Sequence, residues 1–170
     1  PSEQSAATNQ MLDRFEEAVF DMFKQEWQRQ SAVAMPNRIA IVDNDPESQF
    51  MFLEFELACQ LLQARGIDTV ILDPSELEYI DGTLTAHGQK IDMIYNRLVD
   101  FAFEDPDHVL LKQAYLEGAV VVTPNPRVHA MLANKQNLTL LSDSQILRSW
   151  GLDEAAVECL ERSVPRTKIV

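Results

Sequence analysis

Glycine and cysteine are scarce in this sequence of 170 residues, which contains five glycines and two cysteines. No GxGxxG or GxxxxGKS/T run follows the first predicted strand, which argues against a dinucleotide-binding cradle and against a P-loop. Cys59 and Cys159 are too few for a disulfide framework and stand in no metal-ligand spacing. We therefore expect a reducing compartment, that is, a cytoplasmic location.

Basic side chains are also few, because 14 lysines and arginines stand against 27 aspartates and glutamates, a formal net charge of −13. Nucleic acids and anionic membrane surfaces are bound mainly through cationic side chains, so we expect neither as a partner. No apolar run approaches the roughly 18 residues that a transmembrane helix needs. At 46% hydrophobic residues, the composition is nevertheless that of a folded globular chain.

The first feature that is present is a long amphipathic helix, predicted over residues 9–30 and assigned to an N-terminal segment, 1–35. Apolar side chains recur there at three- and four-residue spacing and form one stripe: Leu12, Phe15, Val19, Met22, Phe23 and Trp27. Two interpretations of the stripe stay open. It docks on its own domain, or it packs against another domain or a second copy of the chain, which makes a homodimer through this helix an expected partner.

Strands and helices then alternate. Short β-branched runs predict strands at 38–42, 69–72, 91–95 and 119–123, and helices are predicted at 47–65 and 105–116. Asp81-Gly82 between two apolar pairs predicts an inserted β-hairpin. Further helical segments are predicted near 127–133, 142–149 and 153–162. The expected fold is α/β, a Rossmann-like open, mostly parallel sheet flanked by helices.

Polar residues follow three of the predicted strands, where ligands of open α/β sheets gather. These residues are Asp43-Asn44-Asp45, Asn96-Arg97 and Thr123-Pro124-Asn125. Arg97 has the chemistry to clamp a carboxylate or phosphate, but it also suits an internal ion pair with Asp43, Asp45 or Asp100. The Asp43/Asp45 pair suits either a cation or a cap on the following helix.

A complete catalytic apparatus is not visible in the sequence. His87, His108 and His129 share no metal-ligand spacing, and each is expected at the surface or hydrogen-bonded in the core. No serine stands in a GxSxG elbow. We therefore predict no catalytic residue and no metal ligand in this chain.

The order of segments resembles the N-terminal part of circularly permuted ATP-grasp proteins, which are related in architecture to glutathione synthetase and glutathionylspermidine synthase. The resemblance covers about residues 36–170. It is carried by the strand and turn Ile91-Asp92-Met93-Ile94-Tyr95-Asn96-Arg97-Leu98, by Asp105-Pro106, and by Ala133-Asn134-Lys135-Gln136-Asn137-Leu138, which is similar to a lysine-bearing helix of the family. Val164-Pro165-Arg166-Thr167 resembles the segment before the first ATP-grasp strands. The sequence departs from the family pattern at Asn96, Val99 and Asn134.

This resemblance implies a pre-ATP-grasp α/β domain over 36–141 and a helical segment over 142–170 that leads into a truncated ATP-grasp domain. The chain is then a piece of a longer ligase-like protein that performs ATP-dependent carboxylate–amine ligation through an acyl phosphate. ATP and magnesium are implied for that protein and no cofactor for this fragment, which forms one wall of the substrate cleft and is inactive alone.

The resemblance also implies which residues bind and what they bind. Arg97, Asn96, Asn125, Asp43 and Asn44 are expected near a small-molecule carboxylate substrate, and Lys135 near the nucleotide. The missing C-terminal ATP-grasp domain is the expected protein partner.

Two alternatives remain. Ile41-Val42-Asp43-Asn44-Asp45-Pro46 resembles the magnesium-binding strand end of response-regulator receiver domains. Asn96-Arg97, however, stands where a receiver has its phosphoacceptor aspartate. The other alternative is a non-enzymatic interaction module that holds a partner with Phe15, Phe23 and Trp27.

Overall fold

The computed structural model describes residues 3–168 and the side chains of residues 10–168. The chain forms two compact units that divide after Pro126, so residues 127–141 lie with the C-terminal helices. The strands in chain order are β1 (Arg38–Val42), β2 (Asp68–Leu72), β3 (Leu77–Ile80), β4 (Thr83–Ala86), β5 (Gln89–Lys90), β6 (Met93–Asn96) and β7 (Val121–Thr123). The helices are α1 (Glu3–Gln28), α2 (Phe52–Ala64), α3 (Val109–Leu116), α4 (Pro126–Leu132), α5 (Asn137–Leu141), α6 (Ser144–Ser149) and α7 (Glu154–Ser163).

The predicted α/β fold is confirmed. A four-stranded parallel sheet has the order β2-β1-β6-β7. β1 is buried along its whole length, as its uninterrupted apolar run predicts for a strand covered on both faces. The helix predicted from residue 47 begins later, at Phe52. Asp45 adopts a left-handed backbone (φ 41°), and a separate 3-10 turn follows over Pro46–Ser48.

The predicted hairpin is also confirmed. β3 and β4 pair antiparallel, with Ile80 opposite Thr83 across the turn. Both turn residues, Asp81 and Gly82, have positive φ, which is the backbone that a tight two-residue hairpin turn requires. β5 adds a short third strand to this second sheet.

The two faces of the parallel sheet bury separate apolar cores. Alternate side chains of β1 and β6, among them Ala40 and Ile94, face α3 and the antiparallel sheet. Ile39 and Met93 face the opposite way and pack with α1 and α2. The helix that follows β1 and the helix that follows β6 therefore cover opposite faces of the sheet.

The apolar stripe of α1 is divided between core and surface. Phe23 and Trp27 are buried, and the ring of Phe23 meets that of Tyr95 edge-on at 5.0 Å between centroids. Docking on its own domain is thus confirmed for the C-terminal half of the helix. For Phe15 and Met22 that interpretation is wrong, because they are 66% and 44% exposed. Phe15 precedes the part of α1 that packs on the sheet, and Met22 lies beside it on another side of the helix.

The second unit consists of short capped helices. The carboxylate of Asp143 accepts hydrogen bonds from the backbone of Gln145 and Ile146 at the start of α6, and Asp153 caps α7 in the same way. Lys135 was expected within a helix over 133–138, but it lies in the turn between α4 and α5. Within the described part of the chain, no helix combines the length and apolarity that crossing a bilayer requires.

Replacing Phe23 by alanine tests how the stripe is divided. Loss of this buried ring should lower the free energy of unfolding by about 3–5 kcal/mol, because it leaves a cavity against the sheet. Phe15→Ala is the matched control on the same helix, and its effect should stay within about 0.5 kcal/mol at protein concentrations too low for the chain to associate. Chemical denaturation of the two variants measures both values, and equal effects would contradict the assignment.

Candidate functional site

The strand order makes the carboxyl edge between β1 and β6 the place where a ligand crevice is expected. From β1 the chain crosses through α2 to β2 on one side, and from β6 it crosses through α3 to β7 on the other side. The two helices leave this point on opposite faces, which makes it the topological switch point where open α/β sheets bind ligands. The backbone N–H of Arg97 donates to the carbonyl of Val42 at 2.9 Å, so Arg97 and Asp43 start the two loops that border the crevice.

Arg97 is held loosely at this edge. Its Nη1 donates to Tyr95 Oη at 3.1 Å, and its guanidinium lies 5.3 Å from the Tyr95 ring centre and 5.5 Å from that of Phe55. Nη2 is 3.6 Å from Glu54 Oε1, an ion pair beyond hydrogen-bond distance. The ion-pair partner is thus Glu54 of α2, in place of the three aspartates considered from the sequence. Nε is buried without a hydrogen-bond partner, while the side chain as a whole stays 27% exposed.

Beside Arg97, Asn96 has an amide donor without an acceptor and Asp43 has a carboxyl whose pKa is raised by burial. Asn96 is 1% exposed; its Oδ1 accepts from the backbone of Leu98 at 3.1 Å, while Nδ2 has no partner. A buried donor without an acceptor costs about 1–3 kcal/mol. Burial raises the pKa of the Asp43 carboxyl, although the N–H of Asn44 and the charge of Arg97 act in the opposite direction.

A buried histidine connects the loops of this edge, and the sequence did not single it out as part of the site. His108 Nδ1 lies 2.9 Å from Asp100 Oδ2, and its Nε2 lies 3.1 Å from Asn44 Oδ1. The expectation of a hydrogen-bonded core histidine is confirmed, since His108 is 1% exposed. Its only signal in the sequence was its place in the Asp105-Pro106 helix start. Through this cluster Asn44 is held by α3.

Asp100 is stabilised in its ionised form by the same cluster. Burial alone raises the pKa of Asp100, but backbone N–H groups of Asp105 and Glu104 and the His108 ring together hold that pKa below its ordinary value. The loop after β6 is therefore joined to the residues just before α3 by hydrogen bonds that favour the ionised form of the Asp100 carboxylate.

The remaining predicted residues lie further from Arg97 along the chain. Asn125 follows β7, at the same edge of the sheet, and its Oδ1 accepts a hydrogen bond from Tyr115 Oη at 3.1 Å. Lys135 is exposed in the second unit. The structure thus brings together Asp43, Asn44, Asn96 and Arg97 at two adjacent strand ends, with Asn125 one strand away.

An acidic cavity of about 530 Å³ lies beside the ends of β1 and β2. Asp73 lines it, and its carboxylate accepts the backbone N–H groups of Asp45 and Ser75, at 2.8 and 2.9 Å. The Ser75 hydroxyl contributes most to lowering the pKa of Asp73. The side chain of Asp45 contacts the Ser48 hydroxyl within the 3-10 turn. These carboxylates are thus engaged in shaping the loops.

No model of a known protein family matches this chain, and no curated protein matches it either. Among the side chains described, those of residues 10–168, no group of three or more histidines, cysteines, aspartates or glutamates is arranged to hold a metal ion.

The pKa of Asp43 is raised and the pKa of Asp100 is lowered. Replacing the two carboxylates by neutral amides should therefore change the stability of the fold in opposite directions. The raised pKa of Asp43 means that its charge destabilises the fold above that pKa, and that this penalty disappears as acid protonates the folded and unfolded forms alike. Asp43→Asn should therefore raise the melting temperature at neutral pH and lose this advantage well below the ordinary aspartate pKa.

Asp100→Asn is the matched control. In the wild type, the pKa of Asp100 is lowered, so its ionised carboxylate stabilises the fold at neutral pH. This stabilisation is lost as the pH falls through the folded-state pKa. The variant should melt below the wild type at neutral pH, with the difference closing in acid. Thermal melts across pH measure both effects, and a destabilising Asp43→Asn at neutral pH would contradict the account.

Proposed function

We propose that this chain is the substrate-side α/β portion of an ATP-grasp, glutathione synthetase-like ligase. It forms one wall of the cleft for ATP-dependent carboxylate–amine ligation and is inactive alone. The observation that carries the proposal is Arg97 at the switch point: partly exposed, 3.6 Å from its nearest ion-pair partner, and with a buried Nε that lacks an acceptor.

A substrate carboxylate supplies what this guanidinium lacks. Its two oxygens match the fork of N–H donors on an arginine, and a bidentate pair fixes the orientation of the acid as well as its place. Reorientation of the side chain toward such a ligand gives Nε an acceptor and releases Glu54. Tyr95 and Phe55 support the guanidinium from their ring faces during this exchange.

The neighbouring residues act by holding the loops. Asn96 shapes the turn after β6 by accepting a hydrogen bond from the backbone of Leu98, and the side chain of Asn44 contacts His108, so side-chain hydrogen bonds shape both bordering loops. Burial raises the pKa of the Asp43 carboxyl, so its charge is disfavoured without a partner. A polar group or an amine of the ligand would supply that partner. The substrate class is therefore a small molecule with a carboxylate beside a polar or cationic group.

Partners and location complete the proposal. The nucleotide is brought by a C-terminal ATP-grasp domain, and no observation on the described residues favours the receiver alternative over it. A cytoplasmic location is supported by Cys59 and Cys159, which are both unpaired thiols. The exposed apolar side chains of α1 support a second copy of the chain as a further partner.

Titration with a dicarboxylate tests the arginine directly. Addition of succinate at low ionic strength should shift the backbone NMR signals of Asp43, Asn44 and Arg97 saturably, and the neutral diamide of succinate should not. Arg97→Lys should raise the dissociation constant about tenfold, because an ammonium loses the bidentate geometry. Arg65→Lys is the matched control. This residue lies at the far end of α2, over the Phe20 ring, and its substitution should change nothing. Shifts that survive Arg97→Lys unchanged would contradict the proposal.

Calorimetry with ATP and magnesium tests whether nucleotide binding belongs to the proposed C-terminal domain and not to this chain. The chain alone should release no measurable binding heat and should hydrolyse no ATP, because its only residue assigned near the nucleotide, Lys135, lies exposed in a turn. Micromolar affinity for ATP in these 170 residues would contradict the assignment of the nucleotide to another domain.

A further inference from the structure

The helix α1 carries a second apolar stripe beside the one that packs on the sheet. Met11, Phe15, Ala18 and Met22 are all exposed, Phe15 and Met11 by 66% and 75%. Their spacing of four, three and four residues is the a/d pattern of a coiled-coil seam. The core-facing side chains, Val19, Phe23 and Trp27 among them, lie on an adjacent strip of the helix.

The N-terminal part of this helix is covered on no side within the described chain. Each residue from 10 to 18 is exposed, which spans more than two full turns. A stretch of helix that contacts nothing gains no packing energy, and short isolated helices are marginal in water. Large apolar side chains exposed in a row there mark a surface that another molecule covers.

We propose that the α1 helix of a second copy of this chain covers the seam, in antiparallel orientation about a two-fold axis. In that arrangement a-type and d-type positions meet: Met11 lies opposite the partner's Met22, and Phe15 lies opposite the partner's Ala18. The bulky ring thus faces the smallest residue of the seam, and the two methionines fill the outer layers. On the side nearest the sheet, Leu12 meets the partner's Val19, which extends the apolar contact.

The charges beside the seam select the antiparallel orientation. Arg14 and Asp21 flank the same side of the stripe, and both are exposed. Antiparallel pairing sets Arg14 against the partner's Asp21, and the two-fold axis makes this ion pair twice. Parallel pairing instead sets Asp21 against the partner's Glu26, a repulsion, and leaves Arg14 facing the partner's Val19. In a chain of net charge −13, a seam that is apolar and internally neutral is what permits two copies to meet.

Sedimentation of the whole chain over a range of concentrations tests this inference independently of any ligand. The wild type should be a concentration-dependent dimer. Phe15→Asp should be a folded monomer that keeps the thermal unfolding transition of the α/β core and loses at most the helical circular dichroism of the uncovered N-terminal turns of α1. Arg14→Asp and Asp21→Arg should each weaken the dimer about tenfold, since each turns two attractions into repulsions. The double variant restores both ion pairs with the charges exchanged and should recover the wild-type affinity.

Disulfide trapping then fixes the orientation. In a Cys59→Ala, Cys159→Ser background, Met11→Cys mixed with Met22→Cys should cross-link on oxidation, whereas either variant alone should not. Efficient self-linking of Met22→Cys would show a parallel pair. A monomeric wild type, a dimer indifferent to Phe15→Asp, or a double charge exchange that restores nothing would each overturn the proposal. A monomer would also leave a further domain as the occupant of the seam.

Discussion

Hydrogen bonding between β1 and β6 brings together the four polar residues at the centre of the candidate site, Asp43, Asn44, Asn96 and Arg97. These two strands are neighbours in space but are separated in sequence by α2, β2 and the antiparallel sheet. Because their crossover helices cover opposite faces, the loops after β1 and β6 are left without a helix between them. Asp43 and Arg97 begin those loops. If β6 paired elsewhere, the same residues would be scattered along the edge and no crevice would form.

The two apolar cores stabilise a sheet edge at which several polar groups lack hydrogen-bond partners or a favourable surrounding for their charge. Arg97 Nε and Asn96 Nδ2 are buried donors without acceptors, and burial raises the pKa of the Asp43 carboxyl. Each is an unfavourable contribution in the free chain. Side chains on both faces of β1, fully buried from Ile39 to Val42, offset this cost. Asp43, Asn96 and Arg97 lie at two neighbouring strand ends, where a polar ligand would supply the missing partners. Arg38 Nε, at the opposite end of β1, is also buried without a hydrogen-bond partner and pairs with Asp68 at 3.2 Å.

Much of the fold could be predicted from local pattern, and much of the site could not. The bounds of β1 follow from an uninterrupted β-branched run, and the hairpin follows from Asp81-Gly82, since both signals are local. The partner of Arg97 depends on which face α2 covers, which no local pattern encodes, so Glu54 was missed. His108 was missed as part of the site for the same reason, because it contacts Asn44 from far along the chain. The exposed half of the α1 stripe could not be told from its buried half, since both have one periodicity.

The most direct test of the central claim is the Nε–H signal of Arg97 in a 15N-edited NMR spectrum, assigned by comparison with Arg97→Lys. A buried Nε–H without an acceptor has no hydrogen-bond shift in the free chain. Succinate should move this signal downfield to a plateau, because Nε gains a carboxylate oxygen as acceptor. A signal that stays in place at saturating succinate would contradict the claim that this arginine is kept for a carboxylate.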